Sequence, residues 1–383
     1  MPIMELQELI KPMEKEKWYE IAEVDKVDSP ALLIFPERVK ANIQTAINMV
    51  GNVNRLRPHV KTHKSPDTSK LMIEAGITKF KCATIAEAEM LAQCGAKDVL
   101  LAYQPWGPKL QRFIQLIKKY PQTSFSCLTD NIDAAKEQDS EFQKNKLSVP
   151  VYIDLNIGMN RTGITADDRA FELYKFCSTL KGINVIGLHA YDGHLRDSDY
   201  NLRKQKCDEA FSLVENLKDK IVATGLPKPK IIAGGSPGFS IHCNRDGVEC
   251  SPGTFIYWDK GYLDLCPEQS FLPAAVLLTR VISLPSANRI CTDLGHKSVA
   301  PENEITRRIF FLNASGLTPV GQSEEHLVLE INDGKSYKVG DIFYGLPIHV
   351  CPTIALYERA ITIEKGKVTG TWKNTARDRT ITI

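Results

Sequence analysis

Short apolar segments alternate with amphipathic segments over the first two thirds of the chain. The apolar segments have the length of strands, and those between them carry apolar residues three and four positions apart, as helices do. This alternation is typical of βα units and a parallel sheet. The predicted strands are Leu56–Thr62, Lys79–Thr84, Asp98–Tyr103, Ser124–Thr129, Pro150–Asn156, Val185–Tyr191, Lys230–Gly235 and Val248–Trp258.

Eight strands with helices between most of them predict a (β/α)8 TIM barrel, and a doubly wound open sheet is the main alternative. After about Pro267 the helical period fades, and β-rich segments such as "RIFFLN" and "HLVLEIN" follow. We therefore predict an α/β plus all-β chain. Residues 28–265 form the barrel domain, and residues 266–383, with the N-terminal residues 1–27, form a β-strand-rich domain. The strand "ALLIF" is expected to join the β domain or its border.

Composition and charge narrow the class of protein. The 383 residues are 43% hydrophobic and 25% charged, with a net charge of +2. Such a balance gives no electrostatic case for nucleic acid or a membrane surface as partner. We see no apolar run that could span a bilayer and no signal core near residue 1. Ten cysteines occur without a Cys-x-x-Cys pair, which predicts reduced thiols and a cytoplasmic protein.

The segment "RPHVKTHK" (57–64) places Lys61 at the end of the first predicted barrel strand, where barrels carry their reactive groups. A lysine there could form a Schiff base, because neighbouring cationic groups and His59 and His63 would lower its pKa. A basic surface turn would produce the same pattern. The segment alone leaves both interpretations open.

Three loops at predicted strand ends could hold an anion. Arg161 lies in "DLNIGMNRTG" after the fifth strand, and glycine-rich turns occur in "AGGSPGFS" after the seventh strand and "CSPGTF" in the eighth. Barrels often bind phosphate at the loops after strands seven and eight, where backbone N–H groups approach the ligand closely. A salt-bridged arginine and glycines that only make tight turns are the alternatives.

Two histidine-containing segments carry further candidates. In "PIHVCPT" (347–353), His349 and Cys351 would point the same way on a strand, and zinc favours imidazole with thiolate. A buried cysteine beside a hydrogen-bonded histidine is the alternative. In "GLHAYDGH" (187–194), Tyr191 and His194 would lie at the mouth of the sixth strand. His194 lies beyond the strand, where a base could reach a substrate.

Taken in order, "RPHVKTHK", "DLNIGMNRTG", "GGSPG", "SPGTF" and "HVCPT" resemble the D-threonine aldolase and D-serine dehydratase family. Its members are pyridoxal-phosphate enzymes with an alanine racemase-like fold. The resemblance extends from about Ser29 to about Tyr357, which is nearly the whole chain. "FKCATIAEAEML" is also similar to the corresponding stretch of alanine racemases.

The resemblance implies a role for each candidate. Lys61 would hold pyridoxal 5'-phosphate as an imine, Arg161 would approach the phenolic oxygen of its ring, and Tyr191 would lie against or beside the ring. His349 and Cys351 would bind a divalent metal (zinc, manganese or magnesium) that also holds the β-hydroxyl group of the substrate. The residues implied around the phosphate are Gly234, Gly235, Ser236, Gly238, Gly253 and Thr254.

The implied activity is that of a lyase on D-3-hydroxy amino acids, and two outcomes compete. In a D-threonine aldolase, a base removes the proton of the β-hydroxyl, and glycine and acetaldehyde form; His194 is the candidate base. In a D-serine or D-threo-3-hydroxyaspartate dehydratase, Lys61 removes the α-proton and water leaves, so a 2-oxo acid and ammonia form. The family's aldolases tend to carry His-x-Asp, so Cys351 favours dehydration, whereas the remaining motifs favour the aldolase. We place the aldolase first.

Two further classes remain open. An amino-acid racemase would need a second base and no metal, so activity that survives a chelator would favour it. Small barrels that only bind pyridoxal phosphate lack a β domain, and the β-rich C-terminal part and the His349 and Cys351 pair argue against that class. The resemblance also implies a homodimer with a small D-hydroxy amino acid as its only other partner.

Overall fold

The structure is a computed structural model, and it describes residues 17–383. Residues 1–16, which we assigned to the β domain, lie outside the described residues. The chain divides into two compact units. The β unit comprises residues 17–45, Thr62–Thr68 and Thr254–Arg377, and the barrel unit comprises Ala46–Lys61, Ser69–Gly253 and Asp378–Ile383. The predicted domain limits, 28–265 and 266–383, stay a prediction.

The chain enters through a strand and a helix, β1 (Ala31–Ile34) and α1 (Pro36–Val50), before the barrel begins. A parallel sheet of eight strands follows, in the order β2-β3-β4-β5-β7-β8-β9 with the short β6 beside β5. This curled parallel sheet confirms the predicted barrel class. Its strands are β2 (Lys79–Cys82), β3 (Asp98–Leu101), β4 (Ser124–Thr129), β5 (Val149–Asn156), β6 (Ile164–Thr165), β7 (Ile183–Ala190), β8 (Lys230–Ala233) and β9 (Val248–Cys250).

Two predicted strands are wrong in their extent. The segment Leu56–Thr62 forms no regular strand: Leu56 and His59 make isolated parallel bridges, and Val60–Thr62 is a turn of 3-10 helix. Pro58 has no N–H to donate, which prevents a continuous ladder. The strand predicted over Val248–Trp258 ends at Cys250, because Pro252 and Gly253 follow.

Helices cover the outside of the sheet because each buries one apolar face. In α4 (Pro108–Lys119), for example, Leu110, Phe113, Ile114 and Leu116 are buried, and a proline occupies the first turn, where no N–H partner is needed. The other helices of this region are α2 (Pro66–Glu74), α3 (Ile85–Gln93), α5 (Ile132–Lys144), α6 (Asp168–Ser178), α7 (Tyr200–Ala223) and α8 (Phe239–His242).

The segment that precedes Lys61 joins the two edges of the parallel sheet. Leu56 bridges Cys250 of β9, and His59 bridges Lys81 of β2. Buried ion pairs reinforce this closure. Arg57, whose side chain is 1% exposed, donates two hydrogen bonds to Asp98 (2.6 and 2.9 Å) and one to Glu249 (2.7 Å).

The β unit contains an antiparallel sheet, as the change in pattern after Pro267 predicts. β1 pairs with β10 (Ala275–Ser286) in antiparallel orientation and with β16 (Arg359–Glu364) in parallel orientation, so "ALLIF" joins this sheet. The core includes Leu33, Val276, Leu278 and Leu346. The remaining elements are α9 (Lys260–Leu265), β10 (Ala275–Ser286), β11 (Arg289–Thr292), β12 (Ile309–Phe311), β13 (Leu317–Gln322), β14 (Leu327–Ile331), β15 (Ile342–Pro347), α10 (Val350–Ile354), β16 (Arg359–Glu364) and β17 (Lys367–Lys373). Among the described residues, no helix is long and apolar enough to cross a membrane.

We predict that Arg57→Met destabilises the barrel unit by about 3–5 kcal/mol, because it leaves two carboxylates at a largely buried position without their shared cation. Lys79→Met is the matched control. Lys79 also pairs with Glu249, but its side chain is 26% exposed, so its loss should cost about 1 kcal/mol or less. Urea unfolding followed by far-UV circular dichroism measures both. Equal losses in the two variants would contradict the role given to Arg57.

Candidate active site

A cavity of about 400 Å³ lies in the barrel unit, at the carboxyl ends of the strands. Lys61 lines it from the 3-10 turn, Asp154 from β5, and Tyr191 from the residue after β7. This is the end of a parallel barrel where catalytic groups gather. The cavity therefore coincides with the strand ends on which the motifs were found.

Tyr191 lies among three cations. The centre of its ring is 5.8 Å from Lys61 Nζ, 5.7 Å from Lys81 Nζ and 5.2 Å from Arg161 Cζ. Electrostatic attraction between a cation and an aromatic face favours this arrangement. The structure thus brings together Lys61, Arg161 and Tyr191, which the motifs singled out separately, and adds Lys81.

A buried polar chain forms one wall of the cavity. Lys81 Nζ lies 3.4 Å from His189 Nε2, and His189 Nδ1 lies 2.7 Å from Asp154 Oδ1. All three residues line the cavity and are buried. Sequence reasoning missed Lys81 and Asp154. The available signal was a charged residue near the end of an otherwise apolar strand, as in "KFKCAT".

The charge of this wall depends on pH near neutrality. Burial, followed by the positive charge of Lys61, lowers the pKa of Lys81 to about 7. The negative charges of Asp192 and Asp154 oppose this change. Burial and Lys81 also lower the pKa of His189, although Asp154 opposes that change. A lysine whose pKa lies near 7 is a feature of reactive sites as well as of buried networks.

The loops after β8 and β9 meet, as expected for a phosphate site. Ser236 Oγ accepts a hydrogen bond from Gly253 N at 3.5 Å, and Ser251 N donates to Ala233 O at 3.2 Å. A side chain at Gly235 would place its Cβ 2.8 Å from Tyr191 Cε2, so glycine is required against the tyrosine ring. Thr254, the last residue predicted for this site, belongs to the β unit.

Two observations show that the loops suit a phosphate-bearing aromatic cofactor. Ser251 Oγ is buried without a hydrogen-bond partner, although buried hydroxyls are almost always paired. The Tyr191 ring and the cationic groups around it match a flat, anionic molecule. The residues present therefore fit pyridoxal phosphate, with Lys61 as the amine for its aldehyde.

His194, the predicted base, lies beside the loop that follows β5. The side chains that line the cavity do not include it. Its ring instead lies over Gly158, where a Cβ would come within 2.6 Å of His194 Nε2. His59 does line the cavity, and its Nδ1 accepts a hydrogen bond from Lys61 N at 3.3 Å.

The predicted metal pair lies in the β unit, but not on a strand. His349 caps the amino end of α10, and Cys351 lies within that helix, so the expectation of two residues on one strand face is wrong. Pro347 ends β15, and α10 begins three residues later, at Val350. Cys351 Sγ lies 3.2 Å from Thr62 Oγ1.

The surroundings of His349 suit a metal ligand. Its Nδ1 lies 2.6 Å from Glu302 Oε1, an arrangement that leaves Nε2 for a metal and orients the ring through a carboxylate. Burial would lower the pKa of His349, but Cys351, Asp259 and Glu302 raise it to about 9. Imidazole and thiol are ligands that zinc prefers. The two side chains therefore fit an open, incompletely coordinated site.

Comparison with known proteins identifies the class. The chain belongs to the family described as alanine racemase, N-terminal domain, which residues 34–260 match. Residues 274–363 match the family described as putative serine dehydratase domain. These matches confirm the predicted family and the alanine racemase-like fold.

Three relatives indicate the chemistry found within this class. A 3-hydroxy-D-aspartate aldolase of Paracoccus denitrificans is 25% identical, over 92% of this chain and 93% of the relative. A D-threo-3-hydroxyaspartate dehydratase of a Delftia species is 23% identical, over 91% of this chain and 97% of the relative. The crystal structure of D-threonine aldolase from Filomicrobium marinum superposes with a TM-score of 0.85 at 25% identity, covering 94% of this chain and 97% of that one.

We predict that Lys81→Met stabilises the apoprotein most at low pH. Between the folded pKa near 7 and the ordinary value of 10.5, the unfolded chain binds a proton that the folded chain does not, so the wild type gains stability as pH rises. The advantage of Lys81→Met should therefore shrink by about 3 kcal/mol from pH 6 to pH 9.5. Urea midpoints at the two pH values measure this change. Lys70→Met, at an exposed position, is the control, and a constant advantage of Lys81→Met would contradict the lowered pKa.

Proposed function

We propose that this protein is a lyase that depends on pyridoxal phosphate and a divalent metal and cleaves D-3-hydroxy amino acids as a D-threonine aldolase does. The observation that carries the proposal is the cavity in which Lys61, Arg161 and Tyr191 converge. Aldolases and dehydratases of D-hydroxy amino acids among the relatives support it. Bound pyridoxal phosphate would supply an electron sink for bond cleavage next to the amino group.

The barrel unit would hold the cofactor at three places. The Lys61 amine would condense with its aldehyde, and Arg161 would donate hydrogen bonds to its phenolic oxygen. Tyr191 would support the ring. The two glycine-containing loops, with Ser236 and Gly253 in contact, would surround the phosphate. Each group would hold a different edge or face of one flat molecule, which would fix its orientation.

His349 and Cys351 would hold a metal that binds the β-hydroxyl group of the substrate as a Lewis acid. Glu302 would orient the imidazole. Thr62, which contacts Cys351, directly follows Lys61 in the sequence.

The protons would be moved by the chain's own bases. For the β-hydroxyl proton we keep His194 as the proposed base. His59 is the histidine in the cavity next to Lys61 and is the second candidate. Once its amine is released, Lys61 is the base for an α-proton. The identity of the base that acts would decide whether a carbon–carbon or a carbon–oxygen bond breaks.

The second candidate function is dehydration of D-serine or D-threo-3-hydroxyaspartate. Cys351 favours it, because the resemblance associates His-x-Cys with dehydratases. In that reaction Lys61 would take the α-proton, and the hydroxyl group would leave as water. We also propose a homodimer, as the family resemblance implies.

Lys61→Ala should lose the yellow colour of the bound cofactor and, with it, activity, by more than about a thousandfold, which corresponds to over 4 kcal/mol of activation free energy. The amine is the only group proposed for the covalent bond. Absorbance spectroscopy and an assay with D-threonine measure the two effects. Lys64→Gln, three residues along the same segment, should keep both properties. Retained colour and activity in Lys61→Ala would exclude this lysine.

With D-threonine and added manganese or zinc, the protein should accumulate glycine and acetaldehyde, and a chelator should abolish the reaction. His349→Ala should lose the metal requirement together with most of the activity, because one of the two proposed ligands is gone. His326→Ala, an exposed histidine of the same unit, is the matched control. Accumulation of ammonia and a 2-oxo acid, with D-threonine or D-serine, would establish the dehydratase instead. Activity that survives the chelator would remove the metal from the proposal.

A further inference from the structure

A buried pair of side chains lies behind the predicted phosphate loop. Asp192, which follows Tyr191, and His242, at the end of α8, are each 1% exposed, and Asp192 Oδ2 lies 2.9 Å from His242 Nε2. Cys207 Sγ, from α7, lies 3.4 Å from the same nitrogen. Neither Asp192 nor His242 lines the cavity. The reaction proposed above therefore gives this pair no direct role.

The loop of residues 234–238 is fitted closely around this pair. Asp192 Oδ1 accepts a hydrogen bond from Gly235 N at 2.8 Å. A Cβ at Gly238 would lie 2.1 Å from Asp192 Oδ2, and a Cβ at Gly234 would lie 2.7 Å from His242 Cδ2. Both ends of the loop thus depend on the exact positions of the two side chains.

The hydrogen bonds around Asp192 show which of the two side chains donates. Burial alone would raise the pKa of Asp192, but His242 and the Gly235 N–H lower it, so the side chain is a carboxylate. A carboxylate only accepts hydrogen bonds, and His242 therefore donates from Nε2. Burying an anion is expensive unless each oxygen is paired. One oxygen is paired with the loop and the other with the histidine, which ties the loop to α8.

We propose that Asp192 and His242 are positioning residues that hold the 234–238 loop in the shape that binds the phosphate group of pyridoxal phosphate. This inference rests on the proposed function. The N–H of Gly235 donates to Asp192, so Gly235 would contribute to the shape of the loop around the phosphate and not a hydrogen bond to it. The Asp192 carboxylate holds the loop through the Gly235 N–H, and the neighbouring loop residues, including Ser236, face the phosphate group.

Asp192, Cys207 and His242 together offer an alternative role as a cation site, because their ligand atoms lie within 4.8 Å of one another. A metal there would replace the proton shared by Asp192 and His242, which are already at hydrogen-bond distance. A metal role would also not explain why the loop fits so closely against Asp192. We therefore assign the cluster to the loop.

The test compares two aldehydes that differ only in the phosphate group. Apoprotein is titrated with pyridoxal phosphate and with pyridoxal, and the absorbance of the bound aldehyde gives each dissociation constant. In His242→Leu, the affinity for pyridoxal phosphate should fall by about 10- to 100-fold, the effect expected for a hydrogen bond to a charged group. The affinity for pyridoxal should change by less than about twofold. A general loss of packing would weaken both.

Three further variants make the test specific. His242→Gln keeps an N–H donor near the Nε2 position and should restore most of the selective loss. Gly238→Ala removes no hydrogen-bonding group but pushes on Asp192 from the loop, so it should reproduce the selective loss even where His242→Leu folds poorly. Cys207→Ala removes a thiol 3.4 Å from His242 Nε2 and 3.8 Å from Asp192 Oδ2 but keeps the carboxylate, its bond to Gly235 and the histidine, so it should bind both aldehydes as the wild type does.

The results separate the inference from the function on which it rests. If wild-type apoprotein does not bind pyridoxal phosphate, both the positioning role and the proposed function are overturned. Wild-type binding with an unchanged ratio of the two affinities in His242→Leu and Gly238→Ala would overturn only the positioning role. One equivalent of zinc retained by His349→Ala and lost in His242→Leu would also overturn it, because the cluster would then be a metal site.

Discussion

The segment that closes the parallel sheet is the constraint on which the proposed site depends. Its residues bridge β9 on one side and β2 on the other, and Arg57 is fixed between Asp98 and Glu249. A curled sheet with seven neighbouring strands presents its carboxyl ends to a common cavity only when the remaining gap is closed. Lys61 follows this closing segment directly. The position of the amine is therefore set by the same interactions that complete the barrel.

The cavity carries more positive than negative charge, which is costly without a ligand. Lys61, Lys81 and Arg161 surround the Tyr191 ring, and Asp154 is the carboxylate among the lining residues, already occupied by His189. The lowered pKa of Lys81 is one way in which the protein reduces this cost. A bound anion with a phosphate and a phenolic oxygen would be another. The repulsion among these cations therefore lowers the stability of the folded protein at the position where the ligand is expected, as is common at functional sites.

Sequence patterns predicted the regular parts of the fold and the gathering of distant motifs. Strand alternation located β2 to β5, β7 and β8, and a shared barrel end was enough to bring Lys61, Arg161 and Tyr191 together. The errors occur where proline or a short helix interrupts the pattern, as at Pro58 and at His349. Periodicity describes continuous ladders and helices, so it carries no information on isolated bridges or on a single helical turn.

Pairs formed across the fold could not be predicted in the same way. Asp192 and His242 are 50 residues apart and meet only because the chain that follows β7 contacts both the loop of residues 234–238 and α8. Lys81, His189 and Asp154 come from three strands, and each reads alone as an ordinary strand residue. Their relation depends on the register of parallel neighbours, which a single sequence does not reveal. What the sequence did show was the unusual residue type: a lysine or an aspartate where an apolar residue was expected.

The choice between an aldolase and a dehydratase does not lie in the fold, since relatives of both kinds share it. In the function proposed above, it would lie in the few atoms that accept the first proton and in the metal that would hold the β-oxygen of the substrate. His59 and Lys61 both line the cavity, and the Lys61 backbone N–H donates to His59 Nδ1, so a shift in substrate position would change which base is nearer. Cys351 rather than aspartate at the metal would donate more electron density and weaken the Lewis acid. A weaker Lewis acid would assist loss of hydroxide less, so in the proposed function the placement of the proton-accepting groups would carry the larger part of the choice.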